Sequence, residues 1–258
     1  MRKGLRISLI VAILCGLAIL TLVLFKAGAD RRRKLTCAGI KVEFADSYRF
    51  LAEKDIEEYL SKDYGPLIGK LADSVDLAEI ERILAGKSAV LKADAYMTPD
   101  GFLNVRIHQR EPVVRFQKGK FGFYADERGF LFPLQKNYTS RVPIIDGQVP
   151  IDIPAGYKGE ARTEQEKAWL SSVLELIGYM GKTSPWKDMF SQISVNGEGD
   201  IVMIPADGDE RFIFGRPEDY ERKFARIKKY YTAILPAKGK GHYATVNVKY
   251  DGQIVCRE

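Results

Sequence analysis

An uninterrupted apolar run near the start constrains this chain more than any other feature. Residues 7–25 hold 19 positions without a charge or a proline. As a helix rising about 1.5 Å per residue, the run approaches the roughly 30 Å hydrocarbon thickness of a bilayer. It predicts a single transmembrane helix, because apolar stretches after Lys34 have only strand length or helical periodicity. The rival is a cleavable signal, since Ala27-Gly28-Ala29 resembles a small-residue cleavage site and three basic residues precede the run. The run exceeds the about 7 to 15 apolar residues usual in a signal, and Lys26 sits close to the cut, so a retained anchor is expected.

The net charge of +6 and the pI near 9.0 invite a nucleic-acid reading. The location of the charge removes it. Residues 1–34 hold eight basic side chains against Asp30, a net of +7, while residues 35–258 hold 32 basic and 33 acidic ones, a net of −1. The basic excess, including Lys26, Arg31, Arg32, Arg33 and Lys34, therefore flanks the apolar run, where anionic lipid attracts it. The remainder lacks the field of a protein that neutralises many phosphates. Three basic residues precede the run and five follow it, a balance that by itself would leave the large C-terminal part in the cytoplasm. Cys15 falls in the apolar run. Cys37 and Cys256 stand at opposite ends of the rest, read as free thiols, with a bridge open only if those ends meet.

Residues 26–38 read as a basic juxtamembrane linker. Ile40, Val42 and Phe44 alternate as in a half-buried strand. Two helices follow, one carrying Ile56, Tyr59 and Leu60 and ending at Gly65-Pro66, the other capped by Asp76, carrying Leu77, Ile80 and Leu84, and stopped by Gly86. Residues 90–97 and 102–109 form a hairpin about Thr98-Pro99-Asp100-Gly101. This order of strand, helix, helix, strand, strand predicts an α+β domain over 39–113.

Residues 114–258 read as strand-rich with two or more helices. Strands are expected at 121–124, 130–132, 142–145, 193–195, 201–204 and 212–214. One helix begins at a Thr163/Glu166 capping box and carries Trp169, Val173, Leu176, Ile177 and Met180. A last helix is expected from Pro217 to a stop at Pro236, with Tyr220, Phe224, Ile227, Tyr231 and Ile234 as its apolar face; Arg222, Lys223, Arg226, Lys228 and Lys229 read as its solvated side. The chain should close as a hairpin of strands 244–250 and 253–257 about Asp251-Gly252, whose edge either is blunted by Lys249 or receives another strand.

Catalytic signals are sparse. The two histidines, His108 and His242, have no companions, and H-E-x-x-H, C-x-x-C and G-x-S-x-G motifs do not occur. Gly239, Gly241 and Ala244 match a dinucleotide fingerprint but follow a helix and precede a strand, the reverse of the required order. Asn137-Tyr138-Thr139 is a glycosylation sequon only in a compartment that reads it. No cofactor, metal or small-molecule substrate is expected.

Taken in order, several segments resemble the bacterial cell-division family FtsQ/DivIB. A short basic tail (1–6) and one anchor (7–25) come first. The POTRA-like order follows, closed by Ile107-His108-Gln109-Arg110-Glu111-Pro112. A Y-x-D-x-x-G-x-x-x-P-like stretch (Tyr124, Asp126, Gly129, Pro133), an I-x-V strand (Ile193, Val195), Phe214-Gly215, and a terminal V-N-V-K-Y segment from Val246 to Tyr250 complete the match. The tail is shorter, and Asn247 with Lys249 replaces the commoner acidic and arginine pair.

The resemblance implies a non-enzymatic divisome scaffold with its bulk outside the cytoplasmic membrane, opposite to the raw charge count. It implies binding of FtsB/FtsL (DivIC)-like single-pass proteins by strand addition at the C-terminal edge, and so an influence on septal peptidoglycan synthesis. Carried over by position, Tyr250 and Arg257 are the contact candidates, with Val246, Val248 and Lys249 supplying the edge. Other readings are a POTRA-containing envelope assembly or secretion factor and a membrane-tethered envelope hydrolase.

Overall fold

The computed structural model describes residues 14–23, 25–26, 35–48, 50–135 and 138–258. Residues 7–13 and 24 of the anticipated membrane helix, Arg31 to Lys34 of the basic cluster, and Asn137 of the sequon lie outside these. Residues 14–23 and 25–26 are helical, and Leu14, Leu17, Leu22 and Phe25 are all more than half exposed. Among the described residues, no helix is long and apolar enough to cross a membrane. The chain divides into two compact units, residues 1–109 and 110–258.

The first unit follows the expected order: β1 (Gly39–Phe44), α1 (Glu53–Asp63), α2 (Leu77–Ala85), β2 (Val90–Met97) and β3 (Phe102–Gln109). Its strands lie in the order β1-β3-β2, with β3 parallel to β1 and antiparallel to β2. Alternation on β3 sends Leu103, Val105 and Ile107 inward, and Ile56, Leu60, Ile80 and Leu84 from the helices are fully buried with them. Asp76 caps α2 by accepting from the Glu79 amide at 3.0 Å. The polar group in this core is Gln109. Its side chain donates to Asp46 and to the Tyr48 carbonyl, and accepts from the Leu51 amide, so it is buried with its bonds satisfied and pins the 46–51 loop to the end of β3.

The second unit opens with a strand the sequence pattern did not announce, β4 (Pro112–Lys118). There follow β5 (Phe121–Asp126), β6 (Leu131–Pro133), β7 (Ile144–Gly147), α3 (Glu164–Lys182), β8 (Phe190–Val195), β9 (Ile201–Pro205), β10 (Arg211–Gly215), α4 (Tyr220–Lys229), β11 (Thr245–Asn247) and β12 (Val255–Arg257). Among the described residues they make one nine-stranded sheet, in the order β12-β11-β10-β9-β8-β7-β4-β5-β6. Two connections are parallel crossovers, β7-α3-β8 and β10-α4-β11. Parallel neighbours need such a crossover, and its hand is right in nearly all cases. Both step the same way along the sheet, so they lay α3 and α4 on one face. Tyr179 of α3 accordingly meets Tyr220 and Phe224 of α4 at ring distances of 5.1 and 5.5 Å. Phe224 also stacks on Trp186 at 4.7 Å and tilts on Phe214 at 5.1 Å.

Both expected boundaries of the last helix move. The last helix starts at Tyr220, after Asp219 in a left-handed conformation, rather than at Pro217. Nor does Pro236 stop it. The helix opens into a π turn, Tyr230–Ile234, in which the Leu235 amide reaches back to the Tyr230 carbonyl, and one more turn, α5 (Leu235–Lys238), follows. Proline offers no amide and crowds the carbonyl four residues back; the wider turn just before it shifts the ladder and lets the helix continue.

The start of α3 shows how loops are tied to this core. Glu166, 8% exposed, accepts from the amides of Asp152 (2.6 Å), Arg162 (2.9 Å) and Thr163 (2.9 Å), while its own amide donates to the Thr163 hydroxyl. Burial by itself pushes this carboxyl up, but the bonds from Asp152, Thr163 and Arg162 outweigh it and hold it below its ordinary 4.5. The carboxylate thus fastens the segment bearing buried Ile151 and Ile153 to the helix. Glu166→Gln, which turns a carboxamide NH2 toward a backbone donor, should cost about 1.5 to 3 kcal/mol in urea melts at neutral pH. A folded pKa below the unfolded one gives stability that is present above about 4.5 and lost as pH falls through the folded value. The gap between parent and variant should therefore narrow on acidification.

Candidate partner-binding edge

Where β12 lies decides what the C-terminus can do. Its register with β11 pairs Thr245 with Arg257, Val246 with Cys256 and Asn247 with Val255. The Arg211 amide donates to Ala244 O at 2.9 Å and the Val248 amide donates to Ile213 O at 3.0 Å, so even-numbered residues of this segment turn their backbone groups toward β10. Thr245 and Asn247 therefore face β12, and their partners Arg257 and Val255 use their own groups to pair back. What remains on the far side is the N–H and C=O of Cys256. Among the described residues, no strand lies beyond β12.

Side chains alternate with the same logic. Val246 is fully buried beneath α4 and Cys256 packs beside it, whereas Val255 is half-buried and Arg257 exposed on the opposite face. Burial pushes the Cys256 thiol up, which suits a packing residue rather than a reactive one. All three cysteines are free.

Between the strands the expected tight hairpin is absent. The first strand ends at Asn247 rather than Tyr250, and 248–254 form a longer connection held from two sides. Arg226 of α4 donates from Nε to the Val248 carbonyl at 2.9 Å and from Nη1 to Asp251 at 3.1 Å. Opposite, Lys249 Nζ meets the nearly buried Asp200 at 2.8 Å and Glu198 at 3.7 Å. The bond to Asp200 raises the Lys249 ammonium above its ordinary value. Gly215 completes the seat: its φ is +84°, and a Cβ there would stand 2.7 Å from Lys249 Cβ.

The five residues singled out at this end thus occupy different positions. Val246 and Val248 are fully buried, Lys249 is engaged inside the fold, Tyr250 is 48% exposed, and Arg257 is exposed on the edge strand. The structure adds Arg226 and Lys223, which the helical pattern assigned to solvent. Lys223 is 6% exposed, and its Nζ donates to the carbonyls of Arg216 and Glu218 at 2.7 Å each, fixing the turn that leads into α4. Burial lowers its pKa, the ordinary response of an ammonium in a poorly solvated place.

The Tyr124, Asp126, Gly129 and Pro133 stretch is a folding device rather than a site. Asp126 accepts from the Arg128 and Phe130 amides and from Arg110 Nη1, whose guanidinium lies 3.5 Å above the Phe130 ring, and Gly129 takes the turn's positive φ. A cavity of about 1460 Å³ along α3 is lined by Leu170, Leu174, Ile177 and charges of both signs, without a histidine or cysteine. Among the described residues no group of three or more metal-type ligands converges.

Two regions match known family models. Residues 35–108 match a POTRA-like domain, and residues 111–257 match the FtsQ/DivIB, C-terminal related, model. No curated protein matches the chain. The second match covers more than half of the sequence and includes both crossovers and the whole C-terminal edge, and on it the chain belongs to the FtsQ/DivIB family of non-catalytic cell-division proteins.

Proposed function

We propose that this chain is a divisome scaffold that captures an FtsB/FtsL (DivIC)-like single-pass protein by strand addition along β12, outside the cytoplasmic membrane, and so helps control septal peptidoglycan synthesis. Residues 7–25 tether it with the N-terminus inside, and Lys26, Arg31, Arg32, Arg33 and Lys34 rest against lipid headgroups. The observation that carries the reading is the outward-facing Cys256 backbone pair on a strand with no neighbour on its far side among the described residues. An unpaired edge is a template for another strand, with backbone bonds supplying affinity and side chains specificity. Tyr250 and Arg257 supply side-chain contacts. Val246 and Val248 hold the edge from inside, and Lys249 sets the position of Tyr250.

Because Val246 and Val248 belong to the core, removing the whole segment would test folding rather than binding. Cys256→Pro is more selective: it deletes the outward amide and none of the bonds between β11 and β12. Pulldown of the coiled-coil partner should be lost with Cys256→Pro and kept with Cys256→Ala; equal capture by both variants would exclude strand addition at this edge.

Tyr250→Ala should weaken partner affinity about tenfold or more, the scale of an aromatic anchor. Lys249→Glu should also weaken it, and pairing that change with Asp200→Lys should restore it if Lys249 acts through Asp200. A double variant as weak as the single one would make Lys249 a direct contact with an acidic partner.

A further inference from the structure

The chain enters the first unit through Leu35, and that entry is tied to one turn. The Cys37 amide donates to the Lys70 carbonyl, the Gly69 amide to the Cys37 carbonyl and the Ala72 amide to the Leu35 carbonyl, each at 2.8 Å, and Thr36 bridges Leu71. Cys37 and Leu67 are buried on either side of this seam. On the turn so fixed, Ile68 is 70% exposed and Leu71 50%, with Lys70 between them placing its ammonium 4.8 Å above the Tyr64 ring. Scattered exposed aliphatics need no explanation. These two differ because three backbone bonds stop the turn from folding them inward, and because of what precedes them. Asp73 is the nearest acid after the turn in sequence.

Leu35 follows Arg31-Arg32-Arg33-Lys34 directly. Nine Cα steps separate it from Lys26 at the end of the apolar helix, so it can stand at most about 32 Å away. Cations next to a bilayer are drawn to anionic headgroups, and so short a tether keeps Leu35, with the 66–71 turn bonded to it, within reach of the surface. Leu91 and Tyr96, also exposed, lie on β2, the sheet edge opposite β1.

We propose that the 66–71 turn is a lipid-contacting surface: Ile68 and Leu71 enter the headgroup region of an anionic bilayer, and Lys70 meets lipid phosphates. Apolar tips beside cations are the combination that holds a protein at a membrane interface. The inference rests on the anchor proposed above. It gives the first unit two attachments to the membrane, the linker and the turn, and so a set orientation.

The test uses the full chain reconstituted in anionic vesicles carrying brominated acyl chains. Ile68→Trp and Leu71→Trp each add emission to that of Trp169 and Trp186, which are buried in the second unit and form a constant background. Leu17→Trp reports on the anchor. Strong quenching of the added emission at 17, 68 and 71 is the expected result. Quenching at 17 with none at 68 or 71 overturns the lipid contact and leaves the anchor standing, whereas no quenching at any of the three overturns the anchor and the contact together.

Discussion

Burial of Val246 and Val248 under α4 is the constraint on which the rest of the C-terminal architecture depends. A strand of three residues has too few ladder bonds to hold itself. Its position comes from two fully buried side chains, worth about 1.5 to 3 kcal/mol each, on the same face as Phe212 and Phe214. Once β11 is fixed, β12 can pair with it, and only then does the chain present an ordered edge. Arg226, Asp200 and Gly215 act at one remove, since each meets the residues just after β11 and keeps them from fraying.

The crossovers explain why the edge is at this end. Both helices lie on one face and both connections step toward β12, so the last strand the chain can add falls outside α4. The reading of an ordinary soluble sheet would have that edge covered or blunted. Here the lysine expected to blunt it is turned inward onto Asp200, and the tyrosine beside it is left at the surface.

Much of this was legible in the residues, and the failures have physical causes. Period-two alternation located β1 and β3, short apolar runs located β8, β9 and β10, and capping chemistry located α2 and α3 within a residue or two. β4 escaped because Pro112 begins it at the expected domain boundary and its alternation, Val114 and Phe116 against Arg115 and Gln117, spans only four residues. Pro236 was read as a stop because proline breaks an α ladder, a rule that a π turn evades. Lys223 and Arg226 were read as solvated because helical periodicity sees only the apolar stripe; neither carries a local signal of the distant carbonyls it serves, which lie in the turn before α4 and beyond β11. The order of the family motifs was visible in the sequence, but the outward direction of the Cys256 amide was not, since it follows from the register of three strands.

The length of β12 limits how strand addition can work here. Three residues offer one outward donor and one outward acceptor, and a neutral backbone bond contributes a net of about 0.5 to 1.5 kcal/mol. A specific complex buries on the order of 1,200 Å² or more, far beyond one short strand. A partner added at this edge would therefore have to continue past it, onto the 248–254 connection on one side or the outer face bearing Val255 and Arg257 on the other. The ordered connection favours the first, because Val248 and Asp251 are already held by Arg226 and Lys249 by Asp200, on either side of Tyr250, and a contact set in advance would cost less ordering entropy on binding. On the proposed strand addition, backbone pairing at Cys256 would then serve as alignment, and the exposed tyrosine would carry the larger share of affinity.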